Sequence, residues 1–338
     1  MSFAVIGLGR MGLRHVEAAR RLGMEIIGAA DINPIALQAV QDQHGVANTA
    51  CFTDANEMLK KVRPKALVIS TTAPTHAQFV LAAAELGVGY VLCEKPIATS
   101  MVEAEAMVSA CDCSGTCLAV NHQMRYMQIN TKIKALIGSQ ELGPLVSIVI
   151  AGSNFGLAMN VIHYFEKYRY FTGESLCDVQ AWFEDTQLAN PRGTQFSDRS
   201  GRLLARCKSG LPMFIDFSVS AGSGINTIYI CRNGQILVDE LNGDMRIIAR
   251  QAQYRDLPTT RYGTPVDIFN VSNVSTDIVA ATMALWDAFL AGHDFPDGKT
   301  AIYALSCVVA AHASHESSGR VINIDDLGLM RERIFNWA

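Results

Sequence analysis

The segment Gly7-Leu8-Gly9-Arg10-Met11-Gly12 has the spacing GxGxxG and stands between a short apolar run, 2–6, and a helical pattern. That context matters, because the bare motif is common. Gly7 would allow a tight turn, Gly9 would let backbone approach a pyrophosphate, and Gly12 would let the helix pack closely on the strand. The free N–H groups of the helix N-terminus face the anion, so Leu8, Arg10 and Met11 are expected to touch the cofactor as well. Asp31 lies about 20 residues beyond the last glycine, where an acid can bind the adenosine ribose diol. A carboxylate there repels a 2′-phosphate and favours NAD; the nearby Arg10 leaves NADP as the second choice. The plain readings are a glycine-rich turn and a turn or helix cap ahead of Asn33-Pro34.

These groups need a scaffold, and the first 120 residues supply one. Apolar runs at 2–6, 24–30, 66–69, 90–93 and 116–120 alternate with helical patterns. Continuous β-branched runs separated by helices predict a doubly wound parallel sheet of Rossmann type, and residues 1–121 are expected to form an NAD(P)-binding domain. After a helix near 130–137, the runs 145–153, 175–183, 202–208, 213–219, 227–231, 235–240 and 245–250 are longer and alternate. Ser209-Gly210, Asn233-Gly234 and Asn242-Gly243 are hairpin dipeptides, so these runs predict a large, mainly antiparallel sheet in an α+β domain spanning 122–338. Late helical patterns at 276–291 and 299–315 either cover that sheet or return to the first domain.

Composition narrows the field. The chain has 338 residues, 49% of them hydrophobic and 18% charged, which can build a core. Twenty-eight Lys and Arg against 32 Asp and Glu leave a net charge of −4, with no cationic excess for nucleic acid or anionic lipid. No apolar run reaches the ~20 residues of a membrane helix. The N-terminus reads as strand and turn and not as a signal peptide, which implies a cytoplasmic protein. Nine cysteines, mostly within apolar runs, imply no structural disulfides.

The segment Thr71-Thr72-Ala73-Pro74-Thr75-His76, with Cys93-Glu94-Lys95-Pro96 one helix and one strand later, resembles the Gfo/Idh/MocA oxidoreductase family. The resemblance implies that Thr71, Thr72, Pro74, His76, Glu94 and Lys95 border the nicotinamide. It also implies NAD(P)-dependent oxidation or reduction of a carbinol on a sugar, nucleotide sugar or cyclitol. A lysine at the C-terminal end of a parallel strand lies in the crevice where such sheets bind ligands. Desolvation there can lower its pKa toward the range useful for proton transfer, which makes Lys95 the first catalytic candidate. Asn121 and Arg125 look like the family's segment between domains, bordering cofactor and substrate, with an ion pair between domains as the rival role for Arg125. Residues 160–166 resemble the family's Asp-x-x-x-His-x-x-Asp stretch. The resemblance makes His163 the group that reaches the reacting hydroxyl and its expected base, with Lys95 polarising or relaying. The family's first aspartate is replaced by Met159 and its second by Glu166; Asn160 could bond a substrate hydroxyl without charge.

Weaker constellations are Cys111-Asp112-Cys113 with Cys117, which lacks four tetrahedral zinc ligands, and the helical pair His312 and His315. No metal is expected. Arg192 in the loop 190–199, or the segment Arg261-Tyr262-Gly263, could grip a substrate. The expected protein is a two-domain dehydrogenase. Its alternatives are a lyase or glycosidase that oxidises transiently with tightly held NAD, and a non-catalytic NAD-binding regulator. An apolar face on the second sheet implies a homodimer or homotetramer.

Overall fold

The computed structural model describes residues 1–186, 189–260 and 262–338. The first sheet is built from β1 (Ser2–Ile6), β2 (Glu25–Ala30), β3 (Cys51–Phe52), β4 (Ala66–Ile69), β5 (Tyr90–Cys93) and β6 (Cys117–Val120). Interleaved with them are α1 (Arg10–Arg21), α2 (Pro34–His44), α3 (Ala55–Val62), α4 (His76–Glu85) and α5 (Met101–Ser114). The strand order is β3-β2-β1-β4-β5-β6 and every pairing is parallel. β4 is buried along its whole length, as expected of a strand covered by helices on both faces. Local chemistry sets the helix starts: Asp54 accepts from the N–H groups of Asn56 and Glu57 at α3, and Ser100 accepts from that of Glu103 at α5.

The second half contains α6 (Gln128–Leu136), β7 (Leu145–Ala151), α7 (Ile162–Thr172), β8 (Leu176–Phe183), β9 (Gly201–Cys207), β10 (Pro212–Asp216), β11 (Asn226–Cys231), β12 (Gly234–Asp239), β13 (Asp244–Arg250) and β14 (Val266–Val271). It ends with α8 (Ile278–Ala291), α9 (Gly298–Glu316) and β15 (Ile322–Asn323). The strands form one sheet in the order β14-β13-β12-β11-β7-β10-β9-β8-β15. Its pairings are antiparallel except β7 with β10. The sheet is thus mainly antiparallel, as expected, with one parallel pair at its centre. The chain leaves β7 through α7, re-enters at β8 in the same direction, and makes two hairpins, which leaves β10 running alongside β7.

Three further strands, β3, β14 and β15, lie where the sequence gave no strand signal. The two late helices separate in role. α8 packs on α1 and the first sheet, where Trp286 meets Phe3 at 6.2 Å between ring centroids and Phe289 meets Tyr90 at 5.4 Å. α9 covers β8 and also touches α5 and β6, so it spans the seam between the sheets.

Candidate active site

At the C-terminal end of β1 the chain turns through Gly7, whose φ is +88°. A Cβ on Gly7 would stand 2.7 Å from the backbone of Ser70, and one on Gly12 would overlap the Gly7 carbonyl oxygen. Ser70 Oγ, just past β4, donates to that same carbonyl at 2.8 Å. Gly9 differs: it is exposed at the start of α1, and a Cβ there would meet nothing in the chain. Two glycines are therefore demanded by packing, while the third faces space that a phosphate can occupy. Arg10 is exposed and Met11 half-buried beside it. Asp31 accepts from the Leu8 N–H at 2.7 Å and from the Asn33 N–H at 2.8 Å, which holds its carboxylate against the glycine loop.

The loop after β4 carries Thr71 and Thr72, both half-buried, with Pro74 exposed. Thr75 Oγ1 lies 2.7 Å from Thr71 Oγ1. His76 is fully buried, with Nδ1 2.9 Å from the Pro96 carbonyl and Nε2 3.1 Å from that of Thr71. Both ring nitrogens are thus taken by backbone, and the side chain ties this loop to the turn after β5. That turn carries Glu94 and Lys95. Glu94 accepts from Asn121 Nδ2 at 2.7 Å and lies 2.9 Å from His15 Nε2, so one carboxylate joins α1, β5 and the end of β6. Burial opposes its ionisation, but His15, Lys95 and Asn121 outweigh burial and hold the carboxyl down at about 2. His15 carried no signal in the sequence beyond its place on α1.

Lys95 is 9% exposed. Its ammonium donates to the carbonyl of Met159, in the wide turn Leu157–Val161 that leads into α7. Burial pushes Lys95 down to about 8; Arg192 adds to the push, and Glu94 and Asp198 resist it. At the position where the resemblance expected an aspartate, the backbone meets the lysine. A carboxylate nearby comes from Asp198, which accepts from the N–H groups of Ala158 at 2.9 Å and Met159 at 2.8 Å. Asp198 lies in the loop named for Arg192, and no local pattern distinguished it.

His163 is 4% exposed on α7, and its Nδ1 lies 3.3 Å from Nδ1 of His122, which is 1% exposed just past β6. Burial pushes both imidazoles down, His122 to about 3 and His163 far below its usual range, and the Lys95 charge pushes the same way. Asn160 donates from Nδ2 to the Phe155 carbonyl at 2.8 Å. Arg125 forms an ion pair, but with partners inside 122–338 and not between the domains as expected: it is buried, bonds Glu166 at 3.0 Å and also pairs with Asp294. Removing Glu166 leaves the buried guanidinium with Asp294 as its remaining carboxylate partner, on a largely exposed side chain. Glu166→Ala should therefore cost about 1.5–3 kcal/mol of stability, the range of a hydrogen bond to a charged group, and denaturant unfolding that shows a loss below about 0.5 kcal/mol would refute this. His312 and His315 pack against Phe183, away from these groups. Arg261 lies outside the described residues. Among the described residues no three metal-ligating side chains cluster, and no helix is long and apolar enough to cross a membrane.

The residues present fit a dinucleotide. The glycine turn is open at Gly9, the Asp31 carboxylate backs it, and Asn121 Oδ1, buried without a hydrogen-bond partner among the described residues, is an acceptor suited to a carboxamide N–H. Residues 1–122 match the family model GFO_IDH_MocA, described as an oxidoreductase family with an NAD-binding Rossmann fold. This part of the chain is a Gfo/Idh/MocA nucleotide-binding domain. NAD is the cofactor of that domain. D-apiose dehydrogenase from Paraburkholderia graminis is 35% identical over 124 residues, 36% of this chain and 32% of that protein. Inositol 2-dehydrogenase from Pseudarthrobacter chlorophenolicus is 26% identical over 65% of this chain and 68% of its own. Beyond the Gfo/Idh/MocA domain, the whole architecture is shared with an Agrobacterium radiobacter oxidoreductase crystallised with NAD+, L-tartaric acid and magnesium. That structure has a TM-score of 0.79 at 20% identity and covers 97% of this chain and 99% of its own.

Proposed function

We propose that the chain is an NAD-dependent dehydrogenase that moves a hydride between nicotinamide and a carbinol of a sugar, cyclitol or nucleotide sugar. The observation that carries this reading is the convergence of a desolvated lysine from the first sheet with the turn that opens the His163 helix on the second, beside a glycine loop of dinucleotide geometry. The apiose and inositol dehydrogenases support the substrate class.

In this reading residues 1–121 hold the cofactor, with α8 bracing their sheet, and 122–338 hold the substrate. Gly7, Leu8, Gly9, Arg10, Met11 and Gly12 surround the pyrophosphate, Asp31 binds the adenosine ribose, and Thr71, Thr72, Pro74 and Asn121 line the nicotinamide end. NAD, when bound, accepts or returns the hydride. Glu94 holds Asn121 and His15 in place, and His76 fixes the loops that carry Thr71 and Lys95. Lys95 and His163 grip the reacting oxygen, one moving its proton while the other bonds to it, with Asn160 near a neighbouring hydroxyl. General acid–base groups so placed contribute about 10²–10⁴-fold. The test is NADH formation, followed by absorbance, across cyclitols, free sugars and nucleotide sugars. Turnover of a member supports the reading, and silence across the panel with NAD bound overturns it.

The outer face of the second sheet leaves Val146, Trp182, Phe214 and Ile268 about half exposed. β-branched and aromatic side chains on an open sheet face suit a second subunit. Light scattering at micromolar concentration should give at least twice the 36.7 kDa chain mass, and a monomer would contradict this. Nine free thiols, five of them buried, suit a reducing cytoplasm.

A further inference from the structure

We infer that His122 is a positioning residue that fixes the tautomer of His163, so that His163 presents an N–H to the substrate oxygen and Lys95 is the group that moves the proton. This rests on the dehydrogenase reading, and it reverses the roles that the family resemblance suggested for His163 and Lys95.

The geometry is simple. The two Nδ1 atoms are 3.3 Å apart and the rings meet edge to face at 85°. One hydrogen can lie between them. If His163 supplied it, His122 would carry its own proton on Nε2, which is buried with no acceptor among the described residues. Buried orphan N–H donors are rarer than under-used acceptors. If His122 supplies the hydrogen, its Nε2 is a bare lone pair, and a ring faced by the cations Lys95 and Arg125 tolerates a lone pair better than an outward N–H dipole. His163 then accepts at Nδ1 and keeps its proton on Nε2, the nitrogen left for a ligand.

A second proton on His163 is opposed by burial and by the Lys95 and Lys167 charges. With Nδ1 accepting from His122 and Nε2 already protonated, His163 has no free lone pair for the hydroxyl proton. Lys95, faced by Glu94, Asp198 and Arg192 and by both histidines, exchanges its proton near pH 8. In the oxidising direction the hydroxyl proton passes to neutral Lys95 Nζ while the hydride leaves the same carbon for the nicotinamide. His163 Nε2–H bonds the oxygen as it becomes a carbonyl, and Lys95 later yields its proton to water. The sum is carbinol plus NAD+ giving carbonyl, NADH and one proton.

The test uses 15N-imidazole NMR of the full chain near pH 7, with the His163 signals assigned by their loss in His163→Gln. The wild type should show His163 protonated on Nε2. His122→Asn, whose amide N–H can stand where Nδ1–H stood, should keep that tautomer, and His122→Phe should lose it. With an active substrate, kcat for oxidation should rise through an inflection near pH 8 in the wild type, because the neutral amine is the working form. His122→Phe should lower kcat at least about tenfold, inside the ~10⁴-fold that a wrong histidine tautomer can cost, with His122→Asn recovering most of it. His163 protonated on Nδ1 in the wild type, or a tautomer unchanged in His122→Phe, overturns the inference. The spectra need no substrate, so a failed substrate panel would sink the dehydrogenase reading while leaving the tautomer decided by itself.

Discussion

Lys95→Ala should bind NAD nearly as well as the wild type and lose turnover by about 10²–10⁴-fold, the range that a positioned acid–base group supplies. The lysine sits at the end of β5, outside the glycine loop that holds the pyrophosphate in our reading, so the affinity for NAD should change little. Its loss removes the lysine that meets the Met159 turn, and water entering the space would lack its pKa of about 8. Lys95→Arg should fail to restore activity, because a guanidinium keeps its proton throughout the working range. Steady-state rates and a titration of NAD measured on the same preparation check both halves. Near-normal turnover in Lys95→Ala would discard the mechanism, and lost NAD binding would move the residue into the cofactor site.

The glycine loop provides the second large effect, through a contrast between neighbours. Gly12→Ala places a methyl group on the Gly7 carbonyl, so α1 and the turn must part. Overpacking of this kind costs about 1–3 kcal/mol. The thermal midpoint of the cofactor-free protein should drop, and NAD affinity should fall by about tenfold to a hundredfold, each 1.4 kcal/mol being a factor of ten. Gly9→Ala meets no atom of the chain, so cofactor-free stability should stay close to that of the wild type while NAD affinity still falls. Thermal unfolding and a binding titration separate the two variants. Unchanged affinity in Gly9→Ala would mean that no phosphate approaches that backbone.

Much of the architecture was legible because its signals are local. A buried parallel strand is a continuous apolar run, and β1, β4 and β5 have the bounds that their runs predict. β3, with two residues, is too short for any periodicity to register. β14 is exposed along nearly its whole length, so burial imposes no pattern on it. The direction of β10 beside β7 was hidden for another reason: strand direction follows from how many reversals the chain makes, which no single run encodes.

The site divides in the same way. The types and spacing of Gly7, Gly9 and Gly12 announce themselves because one turn needs all three within a few residues, and Lys95 is marked by its place at a strand end between Glu94 and Pro96. The sequence alone thus determined the nucleotide-binding sheet, its glycine loop and the place of the lysine just past a strand end. What it could not determine is pairing across distance. His122 and His163 are 41 positions apart and meet because β6 and α7 converge. Arg125 had two plausible fates, decided by Glu166 on α7 and Asp294 beyond α8. Asp198 acquires its place from three backbone N–H groups that the turn before α7 and its own neighbour present. A residue's type is written in the chain, but its dielectric surroundings and its partners exist only after packing, and those set which nitrogen carries a proton and which amine can release one.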